Sequence, residues 1–296
     1  MTIPKIEFYK LRDFGSKMNA TVEFLRENMG RLFLNLLLIG GPLALVLSLL
    51  FNNLFSAMGD AANLGSDAEA LGFFALLGGN YFLMMLISWL AVSMIISVTF
   101  SYMKLYNEGV AKETPVGDVF RTSMSKYGGI LLLGFLITLV TIFGMFFFFI
   151  PGIFLGVTLS LAYPIYVFED ISPLNAFSRA FILIKGKWWS TFGLLFVTIV
   201  MAYVVQMVFS LPFMVVYLAK IFTLVEDMEQ NTNDPTAIFE IFTSGYMTVA
   251  MAISMVGSYL TYSIPLIGIG YQYSNLVERS EGRGLMNEIE GFDKEA

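Results

Sequence analysis

The chain has 296 residues, 57% of them hydrophobic, with 17 basic and 23 acidic side chains giving a formal net charge of −6; its mean hydropathy is +0.73. The apolar residues fall in blocks of about 20, the length a bilayer-spanning helix needs, which excludes a soluble core. With neither cysteine nor histidine, the chain lacks disulfides, thiolate chemistry, imidazole-held zinc, iron or haem and a Ser-His-Asp triad, leaving carboxylate, lysine, tyrosine or serine for any catalysis.

Taken in chain order, residues 1–30 are charged and periodic rather than a short basic stretch followed by an apolar region and a cleavage site, so the first span is expected to be its own insertion signal. Leu11, Phe14, Met18, Val22, Leu25 and Met29 step along one helical face, with Arg12, Ser16, Asn19, Glu23 and Arg26 opposite, which predicts an amphipathic segment. Long apolar runs then predict six spans near 32–55, 82–102, 129–149, 152–168, 190–219 and 246–273 within a single integral membrane domain, 31–273, followed by a tail at 274–296. The connection between the third and fourth spans reads as a bare Ile150-Pro151-Gly152 turn.

Every basic residue but Lys220 falls before span one, in the second and fourth loops or in the tail, whereas the first and fifth loops carry Asp60, Asp67, Glu69, Glu226, Asp227, Glu229, Asp234 and Glu240. By the positive-inside rule both termini are cytoplasmic. The membrane is most simply a bacterial inner membrane, although an organellar or eukaryotic one fits the same pattern.

Thr114-Pro115 and Ser172-Pro173 both read as helix starts, a hydroxyl acceptor followed by proline at the first helical position. Val116, Val119, Phe120 and Met124 then form one apolar face, and Leu174, Phe177, Phe181 and Ile184 another, before Gly128 and Gly186. With the N-terminal segment these make three units, each an amphipathic helix on the cytoplasmic face followed by two spans, and suggest a threefold repeat. The fold class is therefore all-α: a polytopic membrane protein with six transmembrane helices and interfacial helices.

Pro42, Pro151, Pro212 and Pro265 are candidate hinges or kinks, because each removes a backbone donor. Small residues at four-residue spacing, Ser93, Ser97 and Ser101, Gly152 and Gly156, and Ala250, Ser254 and Ser258, mark packing faces. Asn35, Gln206 and Gln272 are the strong polar groups in or near the spans and read as interhelical hydrogen bonders. Almost no ionisable group lies mid-span, which disfavours proton-coupled transport.

Arg121 and Arg179, at matching places in two amphipathic segments, are candidate ligands for a lipid headgroup, joined by Lys185 and Lys187; ordinary positive-inside charge is the alternative reading. Trp188 and Trp189 beside them read as an interfacial anchor. Glu169 and Asp170 are adjacent carboxylates, but neighbours diverge by about 100° on a helix and suit paired acid–base work poorly. No phosphate-binding glycine loop, metal-spaced cluster or nucleophile motif is present.

The stretch YPIYVFEDISPLNAFSRAFILIKGKWWSTFG, with Pro164, Glu169, Ala176, Ser178-Arg179, Leu183, Gly186 and Trp188-Trp189, resembles a poorly characterised family of six-span proteins related to the membrane domain fused to bacterial glycerophosphodiester phosphodiesterases. The closing YQYSNLVERSEGRGL, with Tyr273, Glu278, Arg279, Glu281 and Gly282, resembles that family's tail after its last span. The likeness covers about a fifth of the chain. It implies an integral membrane fold without an assigned activity, and the phosphodiesterase domain is absent. The expected function is a non-enzymatic inner-membrane protein, a lipid-associated scaffold or subunit in envelope function, without a cofactor. Its expected partners are membrane phospholipid and a membrane protein or a second copy of the chain, not nucleic acid. The alternative is a transporter or flippase for a lipid or amphipathic solute.

Overall fold

The computed structural model describes residues 6–61, 67–111, 113–147, 149–229 and 237–286. Lys5, Lys112, Asp234 and Lys294, counted in the charge pattern, lie outside the described residues. The described chain forms α1 (Phe14–Ala61), α2 (Asp67–Asn107), α3 (Val116–Phe147), α4 (Phe149–Ser160), α5 (Ala162–Glu169), α6 (Pro173–Leu183), α7 (Trp188–Glu229), α8 (Ala237–Thr243) and α9 (Gly245–Glu281), with no strand among the described residues. Six stretches are long and apolar enough to cross a membrane, and the protein is an all-α polytopic membrane protein.

The helices overrun the predicted spans. The 48 residues of α1, 41 of α2 and 42 of α7 exceed the roughly 20 that a bilayer requires. Much of the predicted first and fifth loops is therefore helix, and α9 carries the chain eight residues into the predicted tail. The third connection is also shorter than expected. Ile150, Pro151 and Gly152 lie in the first turn of α4, where proline's missing N–H costs nothing, and only residue 148 separates α3 from α4. The fourth span is two helices, α4 and α5, divided at Leu161. Pro164 lies three residues on and cannot donate to the Ser160 carbonyl, which opens the ladder there.

Close contacts cluster in two units. Unit 1 comprises 1–36, 93–202 and 262–296, and unit 2 comprises 37–92 and 203–261. Unit 1 is built on buried aromatic and aliphatic side chains, among them Phe24, Phe100, Tyr102, Ile130, Leu159, Tyr271 and Tyr273. Phe24 meets Tyr106 edge-on with ring centroids 4.9 Å apart. The predicted serine stripe packs here: Ser93, Ser97 and Ser101 are buried, and Ser97 Oγ donates to the Ser123 carbonyl at 2.7 Å. Unit 2 centres on Ile241, Met247 and Met251 with Phe51, Phe213, Tyr217 and Phe242 around them. Gln206 Nε2 donates to the Ser254 carbonyl at 3.1 Å, and its Oε1 accepts from Thr261 Oγ1 at 3.2 Å, so this glutamine does join α7 to α9.

The two Pro-headed helices start differently. Ser172 Oγ accepts from the Asn175 amide at 3.3 Å with Pro173 at the first helical position, the expected cap. The Thr114 hydroxyl instead donates backwards to the Val110 carbonyl at 2.8 Å. Only α6 stands as a separate helix. The Val116 segment runs unbroken through Gly128 to Phe147, and the N-terminal segment runs unbroken through α1 from Phe14, which Asp13 caps by accepting from the Ser16 amide at 2.7 Å. Residues 6–13 form no helix and are pinned to unit 1. Phe8 stacks on Phe168 at 4.5 Å, while the Arg12 amide donates to Asn275 Oδ1 at 3.1 Å and the Arg12 carbonyl accepts from Asn275 Nδ2 at 3.0 Å.

The largest departure is which face packs. The predicted N-terminal apolar face is exposed at Leu11, before the helix, and on α1 at Phe14, Val22 and Met29, and the buried stripe of α1 is Lys17, Thr21, Phe24, Asn28 and Leu32. On α6 the buried residues are Ala176, Ala180 and Leu183; of the predicted face Leu174 is exposed, Phe177 and Phe181 are half-buried and Ile184, at the C-cap, is buried. Lipid is as apolar as leucine, so nothing drives large aliphatic groups inward; small and hydrogen-bonding residues take the packed face instead.

Candidate functional site

Unit 1 carries three groups of charge. In the first, Glu169, the last residue of α5, has a side chain only 8% exposed and forms an ion pair with Arg179 of α6, which also pairs with Glu281 at the end of α9. Tyr273 Oη donates to Glu169 Oε1 at 3.2 Å, and Arg283 donates to Glu281 Oε2 at 3.1 Å. Burial opposes the Arg179 charge, but Glu281 and Glu169 outweigh it and raise its pKa above the ordinary guanidinium value. This arginine is therefore neutralised by protein carboxylates and is not equivalent to Arg121, which is exposed and without an ion-pair partner among the described residues.

In the second group, Asp170 caps α5 in a left-handed conformation, φ 52°, which turns its carboxylate away from that of Glu169. It accepts from Lys104 at 2.5 Å and from Lys126, and Lys104 donates also to the Val167 carbonyl at 3.2 Å. The adjacent carboxylates thus face separate cations and do not act as a pair. Burial works against ionisation of Asp170, but the two ammonium groups prevail and hold its pKa below the usual carboxylate value. A depressed folded-state pKa gives stability that is present above the unfolded value, near 3.9, and is lost as pH falls through the folded one. Asp170→Asn is expected to cost less than about 1 kcal/mol at pH 7, because the side chain is half exposed. In unfolding experiments in detergent its deficit against the parent should shrink as pH is lowered below about 4; a deficit independent of pH would contradict this.

The third group was hidden in the sequence among the basic residues before span one. Lys17 is 2% exposed, and its ammonium donates to Gln272 Oε1 at 2.6 Å and Ser190 Oγ at 2.9 Å. Gln272 Nε2 in turn donates to Thr191 Oγ1 at 2.8 Å, so this glutamine bridges α7 and α9 as expected and also holds the lysine. Asn35, by contrast, donates along its own helix, to the Arg31 carbonyl at 2.8 Å, and to no other helix among the described residues.

Of the remaining predicted residues, Lys185 is exposed and Lys187 half-buried, both in the turn before α7. Trp188 stacks on Phe154 and Phe192, with centroids at 5.7 and 5.3 Å, and its Nε1 donates to the Phe154 carbonyl at 3.2 Å, while Trp189 is 76% exposed. The tandem tryptophans therefore differ, one packing α7 against α4 and one facing outward. Pro42, Pro212 and Pro265 lie inside α1, α7 and α9. Pro151 lines an apolar groove of about 370 Å³ with Leu139, Val140, Phe143, Gly144, Phe147 and Leu155. Among the described residues no three acidic side chains gather as a metal would require. Compared with models of protein families, with curated proteins and with solved structures, the chain matches none.

Proposed function

We propose that the chain is a non-enzymatic inner-membrane protein with cytoplasmic termini that acts as a lipid-associated scaffold or subunit in envelope function. The observation that carries this reading is the outward face of α6 and its continuation, where Leu174, Ile182 and Trp189 stand exposed beside exposed Lys185. On α3, exposed Phe120 and Met124 flank exposed Arg121 in the same way. Large apolar groups alternating with unpaired cations suit the boundary between acyl chains and anionic headgroups. The carboxylates best placed for chemistry, Glu169 and Asp170, are each engaged in ion pairs. The resemblance to the membrane domain joined to glycerophosphodiester phosphodiesterases points the same way, and the two stretches that carry it meet through Glu169, Arg179 and Glu281.

The test is retention of phosphatidylglycerol against phosphatidylcholine by the purified protein, read by native mass spectrometry. The parent should prefer the anionic lipid, and Arg121→Ala with Lys185→Ala together should weaken that preference roughly thirtyfold, since each basic residue near an anionic surface contributes about 1 kcal/mol. Equal retention of both lipids would defeat the reading. Prolines inside α1, α7 and α9 favour, as a second reading, a transporter or flippase that bends at these points; movement of labelled lipid across proteoliposomes would establish it.

A further inference from the structure

Of the six spans, α7 is the least packed. Only 11% of its most apolar 18-residue stretch is buried, against 22–50% in the other five. Within unit 2 the helix has two faces. Phe213, Val216, Tyr217, Ile221 and Leu224 pack on the core of Ile241, Met247 and Met251. Val208, Leu211, Val215, Leu218, Phe222 and Val225 stand exposed on the other side, three and four residues apart in alternation. Lys220, the one charged residue of Trp188–Val225, lies off this line with its ammonium over the Tyr246 ring, 5.1 Å from the centroid.

A bilayer is too thin to cover that line. The apolar span Trp188–Val225 has 38 residues, about 57 Å of helix at a rise of about 1.5 Å per residue. Hydrocarbon about 30 Å thick covers about 26 residues even at a tilt of about 40°, the steep end of the usual range. Lys185 and Lys187, with exposed Trp189, mark one membrane interface at the start of α7. The surplus therefore falls at the other end, on Val215, Leu218, Phe222 and Val225. A bend at Pro212 redirects these residues without burying them. Phe222 is 74% exposed, and a row of large apolar groups beyond the reach of acyl chains is driven onto another protein surface.

The spacing selects that surface. Alternating steps of three and four residues are the seam of a left-handed helix pair, with Val208, Val215 and Phe222 at one seam position and Leu211, Leu218 and Val225 at the other. Four of the six follow the combination that favours two parallel strands, valine at the first position and leucine at the second. Two copies inserted the same way in one membrane present their α7 helices parallel, so each seam residue meets its own counterpart across a twofold axis. We propose that this face of α7 is the interface of a homodimer, occupied by a second copy of the chain. The dimer rests on the scaffold-or-subunit reading only in giving that subunit a partner, and it uses none of the cations assigned to lipid.

The chain contains no cysteine, so a single introduced thiol reports on its own counterpart. Leu211→Cys, Val215→Cys and Leu218→Cys are treated with an oxidant in membranes of the expressing cells and compared with Thr223→Cys and Phe82→Cys, which are exposed but off the seam. Disulfide-linked dimer should form at the three seam positions and be at least about tenfold scarcer at the other two, because the bond requires close Cβ atoms. In a second measurement, Leu211→Ala with Leu218→Ala should raise the dimer dissociation constant in detergent at least about tenfold by sedimentation. Both side chains are exposed, so the subunit keeps its fold. Equal linkage at all five positions reports random collision and overturns the dimer, and linkage at Phe82→Cys alone overturns it by moving the contact to α2. Absence of linkage at every seam position overturns it too, leaving lipid or a different protein on this face. That absence with the preference for phosphatidylglycerol intact spares the lipid-association reading, whereas seam linkage with equal retention of both lipids supports the dimer and defeats that reading.

Discussion

Arg179→Ala is expected to destabilise the protein by about 2–3 kcal/mol, because it removes the cation between two carboxylates and strands Glu169, whose side chain is only 8% exposed. The loss falls below that for a wholly buried pair, since Arg179 itself is about a quarter exposed. Most of the damage should come from the uncompensated Glu169 charge rather than from the missing contacts. Adding Glu169→Gln to Arg179→Ala should therefore restore more than half of the stability, the Tyr273 hydroxyl still finding an acceptor at the amide. Arg179→Lys should fall between, because a single ammonium cannot fork toward Glu169 and Glu281 as a guanidinium does. Unfolding in mixed micelles, followed by tryptophan fluorescence, measures all three. A change below about 0.5 kcal/mol in Arg179→Ala, typical of a surface pair, would show that the clamp contributes little.

Gly152→Leu should be comparably severe for a steric reason. A Cβ at Gly152 would lie 2.8 Å from the Met145 amide nitrogen and 3.0 Å from Met145 Cα, and one at Gly144 would lie 3.1 Å from Gly152 Cα. Both contacts are to backbone, which cannot rotate away, so α3 and α4 must separate along their length, at a cost of about 3 kcal/mol. Gly156→Ala is the control one turn on. Its Cβ would meet Thr141 Cγ2 at 3.6 Å, an ordinary contact, and the substitution should be neutral or stabilising by up to about 1 kcal/mol. The same unfolding measurement applies, and equal behaviour of the two variants would remove the close-approach argument.

The number of spans was legible because the cost of backbone polar groups in lipid forces long apolar helices, and length alone reveals them. The Ser172-Pro173 start, the serine stripe at Ser93, Ser97 and Ser101, and the bridging by Gln206 and Gln272 were legible too, since each depends on local chemistry that sequence states directly. The packed face of α1 was not. An apolar stripe marks the core of a soluble helix, but in lipid it marks the outside, so Phe14, Val22 and Met29 pointed away from the partners of the helix. Lys17 was unreadable for a related reason. It counts as one more basic residue before a span, and only the approach of Ser190 and Gln272 from distant helices separates it from its exposed neighbours. The equivalence of Arg121 and Arg179 was suggested by position, but Glu281 lies 102 residues from Arg179 and no local pattern announces it.

The discontinuity of unit 1 bears on the order of events during synthesis. Its parts, 1–36, 93–202 and 262–296, leave the ribosome one after another, with the segments of unit 2 made between them. Each span inserts as it emerges, yet Phe24 lacks Tyr271 until α9 is made, and Arg179 waits for Glu281. Non-local contacts of this kind form late. A nascent chain halted after α7 would hold Lys17 and Thr191 without Gln272, with polar groups open to insertion factors and quality-control proteases. Arrival of the final span is the step that closes unit 1, which makes α9 the element whose delay or loss most prolongs that exposure.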